Sequence, residues 1–518
     1  MPTAAASSAT APSAAGGARR WRCAATAPPP STCSPRWRSA PGSRCACCWR
    51  PGSPRPTGRA RRSRSGASAM HKGRLPILNG VRLSGAEVES LRRELVSVAT
   101  PGRHAVLAPV DPIAYAYAYL AARSLGVPFV LGTPAQQASA FGPGATVAGL
   151  TVVACPTADL PEPPVVLATT SGTSGNGRYV TWTGRALDHQ ARATAERLAV
   201  GATGRYAMAL GLGSSYGFSV LNLTFGHGAE FRTCDATAVG LLVAMLKARA
   251  CDSLDTLPGV WRYLVQAVRV DAELADAVRA LTVRGVGGEV VSHDLLDACH
   301  HLGAPLHNGY GLTEAGPNVA ISIGDCYSPR HVGTPLADTE VRVVDDEIQV
   351  RSPSVAEYVW DPVARRMIAN PDRAADGWLH TKDMGALEPN GLLSVHGRLD
   401  SILVSQGAKL HSSVLEQRVR GADGSPLEVA VLQVDPERNG RRRLVLVAIT
   451  DTDGPTLERA IVADAKSFPP QFKAREILLV RSADVPLTAA GKLDRRRLTA
   501  RVAAHLNGSV EMPCRQLS

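Results

Sequence analysis

The chain has 518 residues, 45% of them hydrophobic, long enough for one large domain and a smaller one with an extensive core. Its net charge of +12 and pI near 9.4 would suit a nucleic-acid partner, but residues 1–69 hold twelve arginines and no Lys, Asp or Glu. From Met70 onward basic and acidic residues balance, so the excess charge belongs to the leader and a nucleic-acid-binding body is disfavoured.

That leader is otherwise Ala, Pro, Ser and Gly with five of the eleven cysteines, and it lacks the aliphatic residues a core requires. It reads as a disordered arm, an organellar transit peptide, or a stretch ahead of a mis-assigned start at Met70; the last is favoured because globular composition begins there. The remaining cysteines, Cys155, Cys234, Cys251, Cys299, Cys326 and Cys514, show no paired spacing for zinc or a disulfide framework. A reducing cytoplasm is the expected location, and no apolar run reaches the ~20 residues of a membrane span.

In chain order, HAVLAP, PIAYAYAYLAARSLG and VPFVLG read as strand, helix and strand. PPVVLATT at 163–170 reads as a buried strand running into a glycine-rich loop, and residues 185–200 as a helix. Further on, LLVAMLKARA and YLVQAVRV read as helices and ALTVRGVGGEVV as strand and turn. From Thr339 the pattern is strand-rich, HGRLDS looks like a junction, and LEVAVLQVD, RRLVLVAIT and EILLVRS form a compact module. The expected fold is α/β: a large N-terminal domain over 70–397 and a small mobile one over 398–518, with a disordered tail from about residue 507.

Four motifs carry chemistry. Thr170-Ser171-Gly172-Thr173-Ser174-Gly175-Asn176-Gly177-Arg178 follows a strand and offers backbone N–H groups, hydroxyls and a guanidinium to phosphate oxygens. It is not a Walker A loop, because Gly177 is followed by Arg-Tyr. Gly287-Gly288-Glu289 and His307-Asn308-Gly309-Tyr310-Gly311-Leu312-Thr313-Glu314 combine an aromatic face between glycines with hard oxygen ligands suited to magnesium. Asp383, in Gly377-Trp378-Leu379-His380-Thr381-Lys382-Asp383, is a candidate ribose acceptor, with Gly397-Arg398-Leu399-Asp400 beyond it. Last comes Pro486-Leu487-Thr488-Ala489-Ala490-Gly491-Lys492. Each motif alone has an ordinary reading as loop, turn or solvated surface.

Together, and in this order, they resemble the adenylate-forming superfamily of acyl-CoA synthetases, luciferases and peptide-synthetase adenylation domains, over about Val106 to Leu498. The resemblance implies ATP and Mg²⁺ as nucleotide and metal. Thr170 to Arg178 would then form the phosphate loop, with Thr173 and Glu314 at the metal, Tyr310 stacked on adenine, and Gly287, Gly288, Glu289, Asn308, Gly309 and Gly311 lining the nucleotide and acyl pockets. It further implies Thr313 near the α-phosphate, Asp383 on the ribose, Arg398 on the nucleotide, Asp400 as hinge and Lys492 as the catalytic lysine. Lys382 replaces a glycine of the family pattern, and the region ahead of the phosphate loop is short.

Gly213-Ser214-Ser215-Tyr216-Gly217-Phe218-Ser219 resembles the acyl-pocket segment of acyl- and aryl-CoA synthetases, so Ser214, Ser215, Tyr216 and Gly217 are expected at the acid. No aspartate in it would grip an α-ammonium, which favours an aryl or acyl carboxylate over an amino acid. Leu403 and Val404 replace a lysine often found near the second-step site. Coenzyme A, a carrier-protein thiol and an amine all remain open as acceptor, as does a non-carboxylate oxyacid as substrate. The competing class is a non-catalytic nucleotide-binding relative.

Overall fold

The computed structural model describes residues 75–170, 178–200, 204–227, 230–323, 328, 330–405, 407–424, 427–434, 443–452, 454–487 and 493–517, without the side chains of 227, 400 and 409. Two large sheets dominate. The first runs in the order Thr334–Pro335, Asn318–Ile321, His307–Gly311, Val283–Val286, Ser253–Thr256, Arg205–Ala209, Glu230–Thr233, Ile77–Leu78 and Val81–Arg82. Its six central strands, from His307–Gly311 to Ile77–Leu78, are parallel. From Arg205–Ala209 the chain passes through the helix Ser215–His227 to a strand on one flank, then crosses to Ser253–Thr256 on the other. Connections therefore depart in opposite directions at the carboxyl ends of two adjacent strands, opening a crevice where α/β sheets commonly bind ligands.

The second sheet, of eight strands, contains the antiparallel pair Pro164–Thr169 and Tyr179–Thr183. Helices Pro112–Leu125 and Ser215–His227 share one core with apolar faces of both sheets: Val106 and Val166 from one, Met208 and Phe231 from the other. Tyr119 meets Phe218 edge-on at 5.2 Å. The local chemistry explains the first helix. Asp111 Oδ1 accepts from the Ala114 N–H at 2.8 Å, Pro112 occupies the first turn, and Gly126 closes the helix at φ 74°.

Glu340–Val344 and Glu347–Arg351 form a hairpin whose central residues, Asp345 and Asp346, both have positive φ (50° and 67°), as a tight two-residue turn requires. With Leu379–Leu387 and Leu393–Arg398 they complete a four-stranded sheet. Beyond residue 398 lie the pair Ile402–Ser405 with Ala408–His411 and another four-stranded sheet. The expected disordered tail is corrected: Met512 is buried and Cys514–Leu517 pairs antiparallel with Glu476–Val480, because Met512 and Leu517 complete the cores on the two faces of that sheet.

Arg197, half-buried at the end of the helix Gly184–Leu198, donates to the carbonyls of Ile321 (2.8 Å), Thr334 (2.7 Å) and Pro335 (2.6 Å), stapling the helix to the edge of the first sheet. Arg197→Met would strand these acceptors. A loss of about 2–4 kcal/mol in unfolding free energy is expected, measurable by urea titration; a loss under about 0.5 kcal/mol would show that the carbonyls find other donors.

Candidate active site

The antiparallel pair Pro164–Thr169 and Tyr179–Thr183 flanks the glycine-rich loop. Thr170, buried, donates its N–H to the Arg178 carbonyl at 2.9 Å, closing the loop's mouth, and the Arg178 side chain is exposed. Ser171, Gly172, Thr173, Ser174, Gly175, Asn176 and Gly177 lie outside the described residues, as does Lys492. Asp400 sits in a 3₁₀ turn over Leu399–Ser401, its side chain likewise outside the description.

The remaining motif residues connect through specific contacts. Trp182, on the far arm of the loop's hairpin, donates its indole N–H to the Thr313 carbonyl at 3.0 Å. Thr313 Oγ1 donates to Ser215 Oγ at 3.1 Å, which joins the His307–Glu314 motif to the Gly213–Ser219 segment. Ser214 is occupied by capping: its hydroxyl donates to the Gly211 carbonyl at 2.7 Å and accepts from the Gly217 N–H at 3.0 Å. A Cβ at Gly217 would lie 2.3 Å from the Gly211 carbonyl oxygen, so only glycine allows this tight entry into the helix.

Tyr310 lies in the strand His307–Gly311, not in a turn as G-Y-G suggests, because the residues pair with Val283–Val286 on one side and Asn318–Ile321 on the other. Its ring is buried, and its hydroxyl donates to Asp383 Oδ2 at 2.7 Å. Arg398, directly across the ladder from Asp383, donates to Asp383 Oδ1 at 3.2 Å and to the Thr381 carbonyl at 3.1 Å. The adenine and ribose candidates, distant in sequence, are thus one hydrogen-bonded unit. Burial, reinforced by the Asp383 charge, pushes the Tyr310 phenol well above its ordinary range.

Glu314 follows in a 3₁₀ turn, its carbonyl accepting from the Ala356 N–H at 2.9 Å. Burial raises its carboxyl pKa, with its own backbone N–H and Arg398 opposing the rise and the charges of Asp372 and Asp383 adding to it. A carboxyl in this setting gains most by meeting a cation, and one carboxylate plus phosphate oxygens is the ligand set magnesium commonly takes.

The strand Val283–Val286 delivers Gly287, Gly288 and the exposed Glu289. A Cβ on Gly287 would sit 3.1 Å from the Gly309 carbonyl oxygen and 3.7 Å from the Tyr216 ring; Gly288, at φ 79°, would meet that ring at the same distance. Tyr216 in turn donates its hydroxyl to Asp255 Oδ1 at 2.8 Å. Reading by motif missed Asp255. The one available signal was a carboxylate between buried neighbours Leu254 and Thr256 in a strand paired on both sides. Burial pushes its carboxyl up to about 6, against the lowering effect of the Tyr216 hydroxyl.

Lys382, the residue replacing a family glycine, adopts φ 61° and pairs with Asp372 at 2.6 Å, while its N–H donates to Glu347 Oε1 at 2.9 Å. Lys382→Gly removes left-handed strain of about 1 kcal/mol and forfeits an exposed ion pair of about 0–1 kcal/mol. A net stabilisation near ~0.5 kcal/mol is expected in chemical denaturation; clear destabilisation would mean the Asp372 pair outweighs the strain.

Fold and contacts together define an α/β protein in which the glycine-rich hairpin, the Gly213–Ser219 segment and the Tyr310–Asp383–Arg398 unit are joined through Thr313 and its neighbours. Residues 129–357 match the family model described as AMP-binding enzyme. It is 32% identical over 177 residues to a 2-succinylbenzoate–CoA ligase of Salmonella typhimurium, a stretch covering 34% of this chain and 37% of that protein. The matched stretch thus spans little more than a third of that relative's length.

Among solved structures, the O-succinylbenzoate coenzyme A synthetase of Bacillus subtilis in complex with AMP superposes with a TM-score of 0.66 at 18% identity, over 82% of this chain and 95% of that one. The same enzyme is known with ATP and a magnesium ion. An amide bond synthetase of Marinactinospora thermotolerans gives 0.65 at 19% identity, over 82% and 96%. These structures establish the fold of adenylate-forming enzymes for this chain.

Proposed function

We propose that this protein uses ATP to adenylate an organic acid, releasing pyrophosphate, and then transfers the acyl group to a thiol or an amine. The observation that carries the reading is the unbroken contact path from Trp182 through Thr313 and Ser215 to Tyr216 and Gly287, with Tyr310, Asp383 and Arg398 bonded alongside. Thr313 stands between the nucleotide residues and the acid pocket, where an attacking carboxylate oxygen and the α-phosphorus have to meet.

In this reading Asp383 accepts from the ribose, Arg398 steadies that carboxylate, and Tyr310 offers its ring to the base. Residues Thr170 to Arg178 hold the triphosphate, with Thr173 and Glu314 as the magnesium ligands. Magnesium, when bound, neutralises developing phosphate charge. Lys492 stabilises the charge shared between carboxylate and phosphate as the in-line displacement proceeds. Residues 398–518 rotate about Asp400 between the two half-reactions, withdrawing the lysine and admitting the acceptor. Coenzyme A, a carrier-protein thiol and an amine are the candidate acceptors. At the second-step position Leu403 is buried in the core and Val404 is exposed, so no cation from this strand pair's first arm meets a phosphorylated acceptor. That favours an amine or a short thiol over coenzyme A.

The test is acid-dependent ATP–pyrophosphate exchange across aryl and aliphatic acids, with mass spectrometry of products formed with coenzyme A, hydroxylamine and simple amines. Exchange with at least one carboxylic acid is expected. Its complete absence, with ATP still bound, would leave a nucleotide-binding relative without ligase activity.

A further inference from the structure

Resting on the adenylation reading, we infer that Asp255 is the specificity-determining residue of the acid pocket, and that the acid it selects carries an amino group at the end remote from its reacting carboxylate. Asp255 sits at the carboxyl end of the strand Ser253–Thr256, beside Arg205–Ala209, at the place where the chain's connections diverge and the crevice opens. Its lateral neighbour on the other side is Gly285, where a Cβ would fall 2.0 Å from Asp255 Oδ1. The sheet omits a side chain there, and the carboxylate fills the space.

Among the described residues the hydrogen bond to this carboxylate comes from the Tyr216 hydroxyl, at Oδ1. No arginine, lysine or histidine bridges to it among them. Asp255 is half-buried; a carboxylate has about four acceptor sites, and holding one partly out of water without a cationic partner is costly. Buried polar groups elsewhere are answered by the protein itself: Arg284 donates to the Pro305, Arg279 and Leu281 carbonyls, and His189 is held between Ser354 and the Ala337 carbonyl. Asp255 is answered once, and the ring that answers it lies against Gly287 and Gly288.

Position gives the charge a second consequence. Tyr216 follows Ser215, whose hydroxyl accepts from Thr313, so Asp255 terminates a path that begins at the reacting end of the pocket. A fixed negative charge at the far end repels the substrate's carboxylate and attracts an ammonium or arylamine, which orients the acid with its carboxylate toward Thr313. A site that hydrogen-bonds a substrate N–H also rejects an isostere lacking it, because its own polar group is left unanswered. No aspartate of the Gly213–Ser219 segment is needed for this; the carboxylate arrives from the neighbouring strand.

The experiment compares matched pairs in ATP–pyrophosphate exchange: 3- and 4-aminobenzoate against the corresponding methylbenzoates, and 5-aminopentanoate against hexanoate. The amino member of an accepted pair is expected to lead by at least tenfold in kcat/KM, mostly through KM. In Asp255→Asn that ratio should fall to within threefold, while Tyr216→Phe, which keeps the charge, retains it. Thermal melting of both variants verifies folding; if Asp255→Asn does not fold, the Tyr216→Phe and wild-type ratios decide. Methyl acids exchanging as well as amino acids in the wild type, or an unchanged ratio in Asp255→Asn, would overturn the inference and leave the adenylation reading standing. No exchange with any acid of either series would sink both.

Discussion

Replacing Lys492 by alanine is expected to slow acyl-adenylate formation by about 10²–10³-fold while ATP binding survives. The reasoning is electrostatic. An ammonium that touches the carboxylate and phosphate oxygens only as charge is redistributed stabilises the transition state and contributes little to the ground state, so kcat falls and the nucleotide dissociation constant does not. Stopped-flow pyrophosphate release and calorimetric ATP titration separate the two. Near-normal release by the variant would remove the role from Lys492, and equal losses in binding and turnover would make it a binding residue.

Glu314→Gln should lower adenylation by about a hundredfold at limiting magnesium. The pH dependence follows from the environment of the carboxyl. Burial and the nearby charges of Asp372 and Asp383 raise its pKa in the folded protein, so a proton competes with the cation at a higher pH than for an ordinary glutamate. Activity at limiting magnesium is expected to fall as pH drops through that raised value in the wild type and to lose this limb in the variant. Stability runs the other way. A carboxyl with a raised folded pKa binds its proton more tightly in the native state, so it destabilises the fold progressively as pH rises from the ordinary glutamate range through the raised value. Glu314→Gln should therefore melt higher than the wild type at pH 8 without magnesium, and the gap should close toward pH 4. A variant that is equally active with an unaltered pH profile would exclude Glu314 from the metal.

Motif order grouped Tyr310, Asp383 and Arg398, which hydrogen bonds join, and helical periodicity exposed the helices at Pro112–Leu125 and Gly184–Leu198. What stayed hidden was non-local. The Tyr310–Asp383 hydrogen bond joins residues 73 apart, and no pattern within either segment announces it. Asp255 acquires meaning only from its lateral neighbours, Gly285 on one strand and Met208 on the other. Gly309, Tyr310 and Gly311 have turn-like composition, yet ladder pairing overrides propensity. The closing strand Cys514–Leu517 is four residues of modest β-propensity that form because an adjacent edge was open to them.

The indole of Trp182 has a mechanical consequence. It is fully buried, it belongs to the hairpin that carries the glycine-rich loop, and its one N–H is bound to the backbone of Thr313, just ahead of Glu314. That bond ties the spacing of the hairpin arm to the turn that bears the candidate cation ligand. A triphosphate gripped at one end by the first and at the other through its counter-ion would meet a jaw of constant gauge, and a Trp182→Phe protein, with that tether cut, would clasp it with a variable one.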